Sequence, residues 1–324
     1  MPIQIAILCL LCLSLIYATS LIIRAIKSIA RRSGLGAYGI TAFILAISTS
    51  LPELVVSVVA SFEGKTSLVL GNIIGSNIAD LSLVIGGAAI LGGSMHVMGI
   101  VLSRDIYLAG AAGFLPLFLI ADGTLSRADG VVLLVIYGVM VATFLRSHHR
   151  SLADHAMGKV PIKRFLVAVA SSSGHIGVLR FLVGVGLLLA SSHYIVYFAS
   201  ALGQSTGLSA LFIGLFIVSV GTSLPELVFE IRAVLSGQVK MALGDLLGSV
   251  VANSTLILGI ASIINPLTLT DRGLVPYGLA IGAFTLIYFL FINFVKSKKR
   301  LDWWEGLILL GVYILFMLME SANN

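Results

Sequence analysis

The chain has 324 residues, 58% of them hydrophobic and only 10% charged, with a mean hydropathy of +1.09. A soluble domain carries roughly 25% charged residues, and no soluble fold of this length hides so much apolar surface. These values exclude an ordinary cytosolic enzyme, a disordered chain and a secreted disulfide scaffold, and predict an all-α, multi-pass membrane protein. The net charge is +6. The basic residues sit in short loops, where the positive-inside rule accounts for them, so no nucleic-acid partner is expected.

A helix needs about 20 apolar residues to cross the hydrocarbon. In chain order, ten segments meet that length: 3–24, 38–62, 67–92, 105–121, 128–146, 179–203, 208–235, 240–264, 275–295 and 303–319. The first contains Cys9 and Cys12 at i, i+3; in an unbroken apolar helix this CxxC reads as packing, with no redox or metal role. It lacks a basic n-region and a clear cleavage site and is expected to be a retained membrane helix. A long polar connection, 147–178, divides the chain into a first five-helix unit, 1–146, and a second, 179–324. Within it, 165–171 is apolar but too short to span and is expected at the interface.

Placing the N-terminus outside puts 16 Lys and Arg residues in inner loops and only Lys65, Arg127 and Arg272 in outer ones. That asymmetry predicts ten helices with both chain ends outside. Trp303 and Trp304 follow the basic run 296–300 and suit an aromatic anchor at the inner interface. The histidines carry less information. His148, His149 and His155 read as solvated loop residues, and His96, His175 and His193 as loop or interfacial ones.

Residues 40–90 align without a gap on 213–263 at an offset of 173, with 21 of 51 positions identical. Thr49-Ser50-Leu51-Pro52-Glu53 recurs as Thr222-Ser223-Leu224-Pro225-Glu226, and Gly71, Gly75 and Ser76 recur as Gly244, Gly248 and Ser249. Five predicted spans separate the copies, an odd number, so the copies are expected to cross the membrane in opposite directions. Inverted repeats of this kind build alternating-access transporters with a midplane substrate site between the copies.

Five acids fall inside predicted spans: Glu53, Asp80, Glu226, Glu230 and Asp245. An acid at the centre of a membrane helix costs about 2.5–3.5 kcal/mol on the insertion scale and ordinarily marks an ion or proton path. Pro52 cannot donate to the carbonyl of Ser48, nor Pro225 to that of Gly221. Each block therefore offers hydroxyls, loosened carbonyls and a carboxylate within about one turn. Ser76 with Asp80, and Ser249 with Asn253, share helix faces at i, i+4. Two such sets facing each other form an all-oxygen cage suited to Ca²⁺ or several Na⁺ ions, without the thiol or imidazole a softer metal prefers.

The paired T-S-L-P-E blocks, followed by G-N-I-I-G-S-N at 71–77, resemble the two alpha-repeats of the cation/Ca²⁺ exchanger superfamily, closest to the prokaryotic Na⁺/Ca²⁺ exchangers. The resemblance implies ten helices in two inverted-topology five-helix repeats, with Ca²⁺ exchanged for Na⁺ at clustered midplane sites. It also implies that the first and sixth helices slide across the core, and that the chain lies in the plasma or inner membrane of a prokaryote. Carried over by motif, the ligands are Thr49, Ser50, Glu53, Ser76 and Asp80 with Thr222, Ser223, Glu226, Ser249 and Asn253. The carbonyls of Ala46 and Ser219 are further candidates. No cofactor is implied; Ca²⁺ and Na⁺ are the substrates.

The chain departs from that pattern. The acid and amide at the Asp80 and Asn253 positions are reversed relative to well-studied prokaryotic members, which keeps the number of carboxylates and mirrors the cage. Ser48 and Val250 replace the usual Gly and Asn, Asp245 replaces the Asn found at 72, and Glu230 with Arg232 is unexpected. Glu230 reads first as a partner for Arg232 and second as a further cation or proton site. H⁺ or K⁺ as counter-ion is the alternative to Na⁺. An aspartyl intramembrane protease built on Asp80 and Asp245 is the remote one, because Ala242-Leu243-Gly244-Asp245 lacks the first Gly of GxGD.

Overall fold

The computed structural model describes residues 2–33, 49–96, 100–152, 172–269, 274–298 and 300–323. Ala46, Ser48, the first part of the predicted 38–62 span, the apolar 165–171 stretch, His155 and Arg272 lie outside them. The described chain is helical throughout apart from two short strand pairs. In hydrocarbon every backbone donor and acceptor must be satisfied within the segment, which a helix does and an isolated strand does not.

In chain order the helices are α1 (Pro2–Ser33), α2 (Leu51–Phe62), α3 (Thr66–Ala79), α4 (Ile85–Gly92), α5 (Ile100–Leu119), α6 (Arg127–Leu152) and α7 (Ser172–Thr206). They continue with α8 (Ala210–Ile213), α9 (Ser219–Thr222), α10 (Leu224–Leu235), α11 (Val239–Val251), α12 (Leu258–Ile264), α13 (Leu274–Lys298) and α14 (Trp303–Asn323). Three π-helical stretches, Asp80–Val84, Gly214–Val218 and Ala252–Ile257, join α3 to α4, α8 to α9 and α11 to α12. Among the described residues, seven helical segments are long and apolar enough to cross a membrane: Ile3–Ile22, Thr66–Gly92, Arg104–Asp122, Gly177–Thr206, Val239–Ile264, Val275–Lys296 and Trp303–Asn323. An eighth is the pair Ala210–Thr222 and Leu224–Leu235, bent by 44°.

The Thr66–Gly92 segment is the central element: 94% of its most apolar stretch is buried, against 33% for those of the Gly177–Thr206 and Trp303–Asn323 segments. It reaches the centre because α3 presents Gly71 and Gly75 to the broken helix. A Cβ at either glycine would overlap the carbonyl of Leu211 or Leu215. Small residues let backbones approach where lipid supplies no hydrophobic drive between helices.

At the periphery α1 and α7 run antiparallel along each other. Gln4 meets Ser205, Ser14 meets Ser191 with 2.8 Å between hydroxyls, and Gly184 packs on Ala18 and Ile22. Cys9 is exposed, and Cys12 is buried against Gly221. Two short antiparallel strand pairs tie connecting segments together: β1 (Met95–His96) with β4 (Arg300–Leu301), and β2 (Thr124–Leu125) with β3 (Leu267–Thr268). Trp303 and Trp304 open α14 on its exposed side.

Candidate cation site

Both T-S-L-P-E blocks open a new helix at the same point. Ser50 and Ser223 hold nearly the same backbone angles, φ −81° and −82° with ψ 9° and 3°, and α2 and α10 start anew behind them. Proline then sits in the first turn of each new helix, where a missing N–H costs least. Ser-x-x-Glu at a helix start spells a capping box. Neither serine caps its helix. Ser50 Oγ lies 3.2 Å from Ser249 Oγ, and Ser223 Oγ donates to Glu53 Oε1 at 3.4 Å. The hydroxyls are turned from local capping toward the opposite copy.

The copies are cross-linked by a reciprocal pair of contacts. Thr49 donates to Asp245 at 3.3 Å, and Thr222, its equivalent, donates to Asn72 at 3.3 Å. Asn72 and Asp245 are themselves related by the offset of 173. Asp80 opens one π-helical stretch and Asn253 lies in another. π-Turns widen the helix locally and occur frequently at functional sites. All ten residues carried over by motif are at most 3% exposed, and Glu53 lies within electrostatic reach of both Asp80 and Glu226.

The centre is rich in unpartnered oxygen. Fourteen buried side-chain atoms among the described residues have no hydrogen-bond partner, and nine are oxygens of Glu53, Ser76, Asn77, Asp80, Glu226, Glu230, Asp245 and Asn253. Orphaned polar atoms in a core ordinarily cost stability, so their gathering in one place calls for a ligand. All nine are hard acceptors, matching a hard cation. No three His, Cys, Asp or Glu side chains among the described residues stand close enough to hold a metal by themselves. Ligation here therefore needs the hydroxyl and amide oxygens as well.

Two expectations change. Glu230 does not pair with Arg232: it is fully buried with neither oxygen hydrogen-bonded, while Arg232 is exposed. Residues two apart on a helix point to different sides. The Ser219 carbonyl is already engaged, accepting from the Ser223 N–H at 2.9 Å and the Thr222 hydroxyl at 3.1 Å. The motif reading also passed over two amides. Asn72 bridges Ser57 and Thr222, and Asn77 donates to Ser254 at 2.7 Å. The available signal was an amide inside a span at a repeat position.

The profile of the family described as sodium/calcium exchanger protein matches residues 3–146 and 176–321. A putative antiporter, CaxA, of Alkalimonas amylolytica is 30% identical over 305 residues, covering 93% of each chain. The solved sodium-calcium exchanger NCX_Mj superposes with a TM-score of 0.61 at 27% identity, covering 97% of this chain and 98% of that one. An H⁺/Ca²⁺ exchanger, CAX, shares the fold with a TM-score of 0.74 at 16% identity, over 98% of this chain and 85% of that one. With the family profile matched across both repeat copies and nearly the whole length, the chain belongs to the sodium/calcium exchanger protein family.

Proposed function

We propose that the chain is a secondary antiporter that exchanges Ca²⁺ for Na⁺ by alternating access. In this reading ten spans form two inverted five-helix repeats, 1–146 and 179–324, joined by an inner linker at 147–178, with the N-terminus outside. The observation that carries it is the reciprocal joining of the two copies, Thr49 to Asp245 and Thr222 to Asn72, around unpartnered oxygens. A site lying between repeats is the one that rocking of one copy against the other exposes to each side in turn.

The strand pairs support the ten-span topology. It puts the 93–99 and 299–302 connections on one side and the 123–126 and 265–273 connections on the other. The β1–β4 and β2–β3 pairs join those same connections. The proposed ligands are Glu53, Glu226, Asp80 and Asn253, with Thr49, Ser50, Ser76, Thr222, Ser223 and Ser249 as hydroxyl donors of oxygen. Since Ca²⁺ takes six to eight oxygens, the carboxylates supply the charge and the hydroxyls fill the shell. The cation is substrate, bound and released within each cycle.

Proteoliposomes loaded with Na⁺ test the proposal. They are expected to take up Ca²⁺ when the outward Na⁺ gradient is imposed, and uptake is expected to vanish in Glu53→Gln and in Glu226→Gln. Normal uptake by both variants would reject the site. Glu230 and Asp245, two acids beyond the motif set, keep H⁺ in view as a second counter-ion reading. Uptake driven by a pH gradient with Na⁺ absent would select it. Membership of an exchanger family removes the motive for the protease reading of Asp80 and Asp245.

A further inference from the structure

One hydrogen-bonded pair of the first repeat copy has no counterpart in the second. In the first copy Asn72 Nδ2 donates to Ser57 Oγ at 3.2 Å, a neutral pair that satisfies itself. At the offset of 173 the second copy has Glu230 and Asp245. Two carboxylates cannot close such a bond between themselves, because ionised each is an acceptor only. Glu230 is fully buried, with both oxygens unpartnered, and Asp245 is 5% exposed, with Oδ2 unpartnered and Oδ1 accepting from Thr49.

The charges facing Glu230 are those of Asp245 on α11 and Asp80 at the π-helical stretch, both negative. No Lys, Arg or His is among the buried described residues, and Arg232 is exposed. Breaking the symmetry thus adds two acids to the core with no protein cation to offset them. A buried charge persists only when paired or when it binds an ion.

We propose that Glu230 and Asp245 form an additional Na⁺ site, with the Thr49 hydroxyl on its rim, adjoining the exchange cage. Two carboxylates and one hydroxyl offer at most about five oxygens, fewer than the six to eight that Ca²⁺ takes. The same carboxylates attract a monovalent ion less strongly than a divalent one, which favours its release in the cycle. The site lies on the second-copy side only, so the carrier takes up one more monovalent cation than the pseudo-symmetric cage holds. This inference rests on the exchanger reading above.

The substitution that tests it is present in the chain itself. Glu230→Ser combined with Asp245→Asn recreates in the second copy the neutral pair that the first copy already folds around. Purified protein in nanodiscs is equilibrated with ²²Na⁺ or with ⁴⁵Ca²⁺, and bound ions are counted at saturation. The double variant is expected to keep Ca²⁺ binding and to lose about one Na⁺ per chain, with a matching fall in the Hill coefficient for Na⁺. In parallel, Glu53→Gln is expected to lose Ca²⁺ and to keep the additional Na⁺. An unchanged Na⁺ count in the double variant overturns the additional site. So does a count unchanged in Na⁺ with an altered pH dependence of exchange, which would assign the pair to a shared proton. Retention of Ca²⁺ binding by Glu53→Gln would instead overturn the exchange site, whatever the Na⁺ count.

Discussion

At the residue scale the centre is decided by which way a few short side chains turn. Ser50 and Ser223 stand where helix-capping serines stand, yet their hydroxyls go to Ser249 and Glu53 on the other copy. A helix gives up about 1 kcal/mol when its cap is lost, and that cost is sustained here at two equivalent places. The reversed acid and amide at 80 and 253 invite a direct test. If the cage is nearly symmetric about the axis between copies, moving its third carboxylate across that axis leaves the charge unchanged. Asp80→Asn is expected to weaken Ca²⁺ uptake at least about tenfold, equivalent to 1.4 kcal/mol. Adding Asn253→Asp is expected to recover most of that loss in the same flux assay. A double variant as weak as the single one would show that the two positions are not interchangeable. The acids, threonines and serines of this candidate centre stand out in the sequence, since an acid inside an apolar run is conspicuous and the offset of 173 repeats Thr49, Ser50, Glu53 and Ser76, though not Asp80, Glu230 or Asp245. Asn72 and Asn77 do not, because an amide's importance lies in its partners at Thr222 and Ser254.

At the element scale the bent helix of the second copy holds the site by close approach. Gly75 abuts the carbonyl of Leu215 and the hydroxyl of Ser219, so α3 lies against the π-helical stretch that precedes the second T-S-L-P-E block. Backbone on one side leaves a side chain nowhere to go. Gly75→Val is therefore expected to cost upward of about 3 kcal/mol, more than ordinary overpacking, and to lower the thermal midpoint in detergent by several degrees or prevent folding. Gly186→Ala on the exposed side of α7, with open space around it, is expected to leave the midpoint unchanged. Equal effects from the two substitutions would deny the close approach its importance. The helices themselves were legible as apolar runs of membrane-spanning length. Their π-helical stretches at 80–84, 214–218 and 252–257 were not, since a one-residue change of winding leaves no mark in hydropathy.

At the scale of the whole molecule, α1 and α7 form a long antiparallel pair beside the buried core. The exchanger reading has this pair slide as a unit. A link within it is then harmless, and a link from it to the core arrests transport. Ser14→Cys with Ser191→Cys, replacing hydroxyls 2.8 Å apart on the two helices, is expected to form a disulfide and leave Ca²⁺ flux intact. Glu63 at the end of α2 and His193 on α7 are joined by an exposed hydrogen bond, 2.8 Å from the carboxylate oxygen to Nδ1. Glu63→Cys with His193→Cys, bridged by a short bis-methanethiosulfonate that forms a disulfide with each thiol, is expected to abolish flux and to regain it on reduction. Both are made with Cys9 and Cys12 replaced. Flux surviving the second bridge would rule out sliding of α7 against α2.

The sequence alone determined that this is a membrane protein, where its apolar segments lie, that it is duplicated and which polar residues the duplication repeats. Hydropathy and identity are properties of the chain read in order, and the bilayer tolerates so few charges that each one is informative. Only the tertiary structure decided that Thr49 meets Asp245 while Thr222 meets Asn72, that the block serines turn inward, and that Glu230 stands apart from Arg232. These depend on the rotation of each helix and on contacts between residues 150 or more positions apart, which no local pattern encodes.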